Sequence, residues 1–216
     1  MTLSLAALGA RCEAFVRDRM AGDAAHDLAH VHRVVRWAER IGTAEGADLR
    51  VVLPAAWLHD AVTVPKDHPD RARASRRAAE AAGAWLLRQD EMPAVLVPAI
   101  EHAIEAHSFS AGVEPQTLEA RVVQDADRLD ALGAVGLARL FATAGAMGSA
   151  LAHPDDPIPT DPPGRPLDDR RYAVDHVFVK LLPIAATLHT PTARAEAERR
   201  VARMRQALQW LGDELR

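Results

Sequence analysis

An all-α fold is what this sequence predicts, on three observations. Alanine, leucine and valine dominate the 49% of apolar residues, while aromatics make up only 4%. That composition favours helices over strands. Apolar residues recur at spacings of three and four along most of the chain, and no stretch alternates with period two for long enough to make a strand.

Helical periodicity runs through 3–20, 26–45, 48–61, 71–90, 94–108, 117–144, 170–189 and 191–215. The breaks carry turn and cap residues: Ala21-Gly22-Asp23, Gly46, Pro65 to Pro69, Met92-Pro93, Gly112 to Pro115 and Thr190-Pro191. The first segment opens on the apolar run Leu3–Ala10, too short for a leader and with no basic residue before it, so it reads as the first turns of a helix. The second has a one-sided arc of Leu28, Val31, Val34, Val35, Ala38 and Ile41. The third is apolar nearly all round, as in a central buried helix, and Pro54 should lie near its first turn or kink it. Between 145 and 169 lie six prolines and several aspartates, and a loop of this length is either disordered or a lid over a site. C-terminal helices follow. A length of 216 residues fits one domain over 1–216.

The net charge of −4 argues against a chain-wide nucleic-acid footprint. No apolar run approaches the ~18 residues of a membrane span. The single cysteine, Cys12, excludes an internal disulfide and fits a reducing compartment, so a cytoplasmic protein is expected. Lys66 and Lys180 are the only lysines among many arginines.

A titratable residue on the apolar stripe of its own helix is costly to bury unless it is paired or binds a metal. His30 falls at the edge of the second segment's arc, with His26 marginal and Arg33 on its boundary. The all-apolar third segment ends in His59-Asp60, which delivers an imidazole and a carboxylate together into the interior. Val97, Ile100 and Ile104 bring His107 inward, whereas His102 points out. Val122, Asp125, Leu129, Leu132, Gly136 and Leu140 share one stripe, so Asp125 faces inward and Asp127 and Asp130 rotate away. Arg128 is placed to orient Asp125. Imidazoles and carboxylates together suit Mn²⁺, Fe²⁺, Co²⁺ or Zn²⁺.

The order His30, His59-Asp60, Asp125 resembles the H…HD…D signature of the HD-domain metal-dependent phosphohydrolases. The strings HDLAHVHRVVRWA at 26–38, AAWLHDAVTVPKDHPDRARAS at 55–75, AIEAHSFSA at 103–111, TLEARVVQDADRLDALGAVGLARLF at 117–141 and DHVFVKLLPIAATLHTPTAR at 175–194 are similar to its small bacterial YedJ- and YpgQ-like subgroup. The resemblance covers nearly the whole chain. It implies a helical HD-domain bundle with one divalent metal, manganese first among Mn, Fe, Co, Zn, Mg and Ni, held by His30, His59, Asp60 and Asp125. It further implies hydrolysis of a nucleotide phosphoanhydride or phosphate ester by a metal-activated water, as in nucleoside triphosphate pyrophosphohydrolases.

One position departs from the wider family. Thr63 stands where several members carry a glutamate that holds the attacking water. Asp125 or His107 then becomes the proton acceptor. Arg33, Lys66, His68 and Arg71 are the expected phosphate clamps, with Lys66 also assisting catalysis, and Lys180 and His176 could reach the site from a C-terminal helix. The expected partner is a small phosphorylated molecule, a nucleotide, with no nucleic acid and no membrane. A homodimer is the assembly left open. Two other readings stand beside this one: a nucleotide-binding regulatory module without turnover, and a two-metal phosphodiesterase using His68, His102 or His107 for the second ion.

Overall fold

Helices form in each segment where the periodicity places them, and side-chain caps fix several of their starts. The computed structural model describes residues 4–19, 28–62, 73–160 and 162–215. Its contacts divide the chain into two compact units, Met1–Asp127 and Arg128–Arg216, where length alone predicts one domain.

The first unit contains α1 (Leu5–Arg17), α2 (Leu28–Glu45), α3 (Leu49–Leu58), α4 (Ala74–Leu86), α5 (Val97–His107) and most of α6 (Leu118–Asp130). Ser4, Asp48 and Thr117 accept hydrogen bonds from the backbone N–H groups of Ala7, Arg50 and Ala120, which would otherwise be orphaned at the helix starts. The apolar α3 is the hub. It packs against α1, α2 and α5, and buries Val51, Val52, Ala55, Ala56 and Leu58. Pro54 lies inside α3 beyond its first turn, where its missing N–H deprives the Arg50 carbonyl of a helical donor. Small side chains let α4 and α5 approach closely: Ala78, Ala79 and Ala82 of one and Ala103 and Ala106 of the other are buried.

The second unit holds α7 (Gly133–Ala146), α8 (Ala173–His176), α9 (Leu182–Ala185) and α10 (Pro191–Glu214), with α10 packed on α7 and α9. The single helix expected over 117–144 is two. The chain leaves the helix at Leu132, which is extended, and restarts at Gly133 with φ of 78°, a conformation that glycine adopts without strain. The buried Asp130 carboxylate accepts from Arg139 at 2.6 Å across this corner. The helix expected over 170–189 is also interrupted, by a wider π-type turn over Val177–Leu181 between α8 and α9. Pro183 follows at once and has no N–H to give to the carbonyl one turn back, which is a physical reason for the slip in register.

The proline-rich segment is described over 145–160 and 162–169. Its ends are joined side by side through the Ala150–Tyr172 bridge and the bond from Val174 N–H to the Leu151 carbonyl. Arg165 donates to both oxygens of Asp175 at 2.7 Å, and the Asp168 N–H adds a third donor at 2.8 Å. Burial would raise the Asp175 carboxyl, but these donors hold it below the usual carboxylate range.

Candidate metal centre

Four helices of the first unit deliver titratable groups to one place. His30 sits in the first turn of α2, His59 caps the end of α3 with Asp60 directly after it, His107 is the last residue of α5, and Asp127 lies near the end of α6. The three imidazoles are buried, while Asp60 and Asp127 remain partly accessible.

Two backbone carbonyls set the imidazole tautomers. His59 Nδ1–H donates to the Ala56 carbonyl at 2.8 Å, and His107 Nδ1–H donates to the Ile104 carbonyl at 2.6 Å. Each bond reaches back three residues within its own helix, which a histidine at a helix end is placed to do. Each leaves the Nε2 lone pair turned toward the cluster, the tautomer that metal ligation requires. Burial pushes the His59 imidazole down to about 4, against the opposing pull of the Asp60 and Asp127 charges. It is therefore neutral at neutral pH, as a ligand must be.

The donor atoms are spaced as neighbours around a cation. His30 Nε2 and His59 Nε2 lie 3.3 Å apart, and Asp60 Oδ2 is 3.7 Å from the first and 3.5 Å from the second. Ligand bonds of about 2.0–2.2 Å at tetrahedral or octahedral angles put adjacent donors about 2.8–3.6 Å apart. Asp127 Oδ1 approaches His30 Nε2 to 3.4 Å and His59 Nε2 to 3.9 Å. Burial would raise the Asp127 carboxyl, but the His30 hydrogen bond and the nearby imidazoles hold it below the ordinary carboxylate range. The other oxygen of Asp60, Oδ1, faces His107 Nε2 at 3.7 Å. Two nitrogens and two carboxylates around one point suit a borderline divalent cation.

His30, His59, Asp60 and His107 thus come together as their helical faces predict. His30, His59 and Asp60 form a group whose ligand atoms all lie within 4.8 Å of one another, a group that includes neither Asp125 nor Asp127. The expected outward face of Asp127 is corrected: its carboxylate meets the imidazoles of His30 and His59. An inward face stands out on a helix only against a solvent side, and α6 has little of one. Ala120, Val122, Val123, Gln124, Asp125, Ala126, Leu129 and Asp130 are all buried. Arg128 Nη1 donates to the Thr187 backbone and hydroxyl oxygens, each at 2.9 Å.

Gln124 escaped the sequence reading. Buried one turn before Asp127, it donates to the Ala106 carbonyl at 2.6 Å and so ties α6 to the end of α5 beside His107. A buried amide among apolar neighbours was the available signal. His102 accepts from the Gln116 N–H at 2.9 Å, a loop-closing bond away from the cluster. Arg33 lies half-buried one turn after His30. In the second unit, Lys180 is exposed in the π-type turn and His176 pairs with Asp169 at 3.1 Å. His26, Thr63, Lys66, His68 and Arg71 lie outside the described residues.

Comparison with known proteins bears on this geometry. The HD domain family model matches residues 27–132, which includes every residue of the cluster. YpgQ of Bacillus subtilis strain 168, an uncharacterized protein, is 37% identical over 180 residues, spanning 81% of this chain and 77% of that protein. The crystal structure of Bacillus subtilis YpgQ in complex with ADP matches with a TM-score of 0.74 at 31% identity, over 98% of this chain and 97% of that one. An HD-superfamily hydrolase from Bacillus thuringiensis matches with a TM-score of 0.72 at 28% identity, over 98% of each chain. With its helical fold and its clustered His30, His59 and Asp60, this chain belongs to the HD domain family.

Proposed function

We propose that this protein is a metal-dependent phosphohydrolase that cleaves a phosphoanhydride or phosphate ester of a nucleotide. One observation carries the reading: His30, His59, Asp60 and Asp127 converge, with separations of 3.3 Å between the two imidazoles and 3.4–3.9 Å from imidazole to carboxylate, close to the spacing of ligands around a single cation. In this reading Asp127 takes the ligand role expected of Asp125. The ADP bound to the related YpgQ supports a nucleotide as the substrate class.

A divalent cation at this site would lower the pKa of a water and neutralise charge on the phosphoryl oxygens. The chain's own residues do the rest. Ala56 and Ile104 fix the tautomers of His59 and His107, and Gln124 holds α5 against α6 beside them. His107 keeps its Nε2 toward the cluster from the far side of Asp60 and is the proton acceptor, a role that Thr63 cannot fill in place of a glutamate. Lys66, His68, Arg71 and Arg33 remain the phosphate clamps of this reading.

The test is a screen of the purified protein with Mn²⁺ against nucleoside mono-, di- and triphosphates, reading phosphate and pyrophosphate separately. Release from one class is expected, with a loss of at least about a hundredfold in His59→Ala. Ligand-induced stabilisation without any release would favour a binding module instead. The approach of His107 to the second oxygen of Asp60 favours one other arrangement, a two-metal phosphodiesterase. Two tightly bound ions per chain and cleavage of a cyclic or linear diester would establish it in place of the first.

A further inference from the structure

The second unit carries a groove that the metal chemistry does not use. Its volume is about 440 Å³, and it lies between one face of α10, with Arg205, Gln209 and Asp213, and Ile158 of the proline-rich loop, Phe178 and Leu182, the first residue of α9. The floor is apolar and closely built: a Cβ on Gly212 would lie 2.7 Å from Ile158 Cγ1, so helix and loop meet there with no room for a side chain. The rim is charged. Arg205 and Asp213 are exposed and have no ion-pair partner among the described residues.

The positions of the two charges say what fits. They stand four residues either side of Gln209 on one helical face, about 12 Å apart along the axis. A small anion or cation would pair with one and leave the other unmatched. A partner must present a negative charge to Arg205 and, about 12 Å away, a positive charge to Asp213. The same helix run antiparallel does this, since a twofold axis at Gln209 sets Arg205 of each copy against Asp213 of the other. A surface that is its own complement under a twofold axis is the signature of an isologous dimer.

We infer that α10 pairs with α10 of a second copy across this groove, forming a homodimer centred on Gln209. One Arg205–Asp213 pair forms between the copies at each end, and the apolar floor between them is covered by the partner helix.

Charge reversal tests both the assembly and its symmetry. In Arg205→Asp, each interface end would hold two carboxylates; in Asp213→Arg, two guanidinium groups. Both residues are exposed, so both variants should fold, which circular dichroism would verify. Sedimentation velocity should show a wild-type dimer and, for each variant alone, association weakened to a Kd at least tenfold higher. Mixing the two variants in equal amounts recreates both opposite-charge pairs in a heterodimer and should restore association. A monomeric wild type at high micromolar concentration would overturn the inference, including one that binds another macromolecule or a small ligand through this face. So would a dimer indifferent to either reversal, or variants that fail to associate when mixed.

Discussion

His59 couples the site to the stability of the protein. An unfolded His59 takes up a proton near the ordinary value of 6.5, whereas the folded one does not until about 4. Between those values the unfolded chain holds the extra proton, so acid favours unfolding. With metal chelated, the wild type should lose about 3 kcal/mol as pH falls through that window. His59→Gln should show a flatter profile in thermal melts from pH 7.5 to 4.5; parallel profiles would contradict the burial argument. His59 and Asp60 are legible in the sequence because a carboxylate and an imidazole at the end of an all-apolar helix have few alternatives to a shared cation. His30 and His107 are legible because α2 and α5 each have one apolar arc. Asp127 is not, because α6 is covered on several faces and its wheel has no dry and wet side to compare.

At the scale of elements, hydrophobic period places helices but does not end them. The apolar stripe from Val122 to Leu140 continues in sequence across Gly133, where the backbone turns. A single glycine among helix formers is a weak stop signal until its positive φ is seen. The proline-rich loop is hard to read for another reason: Arg165 meets Asp175 ten residues away, and composition does not report pairing. Because Asp175 is fully buried, Arg165→Met should leave a carboxylate uncompensated and lower unfolding stability by about 3 kcal/mol. Replacing both residues, in Arg165→Met with Asp175→Leu, should recover much of that loss in denaturant titrations. An additive double variant would show that the pair does not act as a unit. Likewise Gln124→Leu, which strands the Ala106 carbonyl, should cost about 1–3 kcal/mol and weaken metal binding, whereas a stable variant with unchanged metal affinity would reduce Gln124 to packing.

The whole chain joins a unit that carries the histidine–aspartate cluster to a second helical unit, and the boundary falls inside α6 between Asp127 and Arg128. No linker marks it, so composition alone reads as one domain. Among the described residues no single helix is long and apolar enough to cross a membrane. The cluster lies within the part of the chain that the HD domain family shares, and the claim on which the account rests is that Asp127, not Asp125, completes it. Metal content after loading with Mn²⁺, measured by elemental analysis on wild type, Asp127→Asn and Asp125→Asn, tests this most directly. The account predicts one ion per chain in the wild type, loss of it in Asp127→Asn, and retention in folded Asp125→Asn. Retention in Asp127→Asn with loss in folded Asp125→Asn would contradict it.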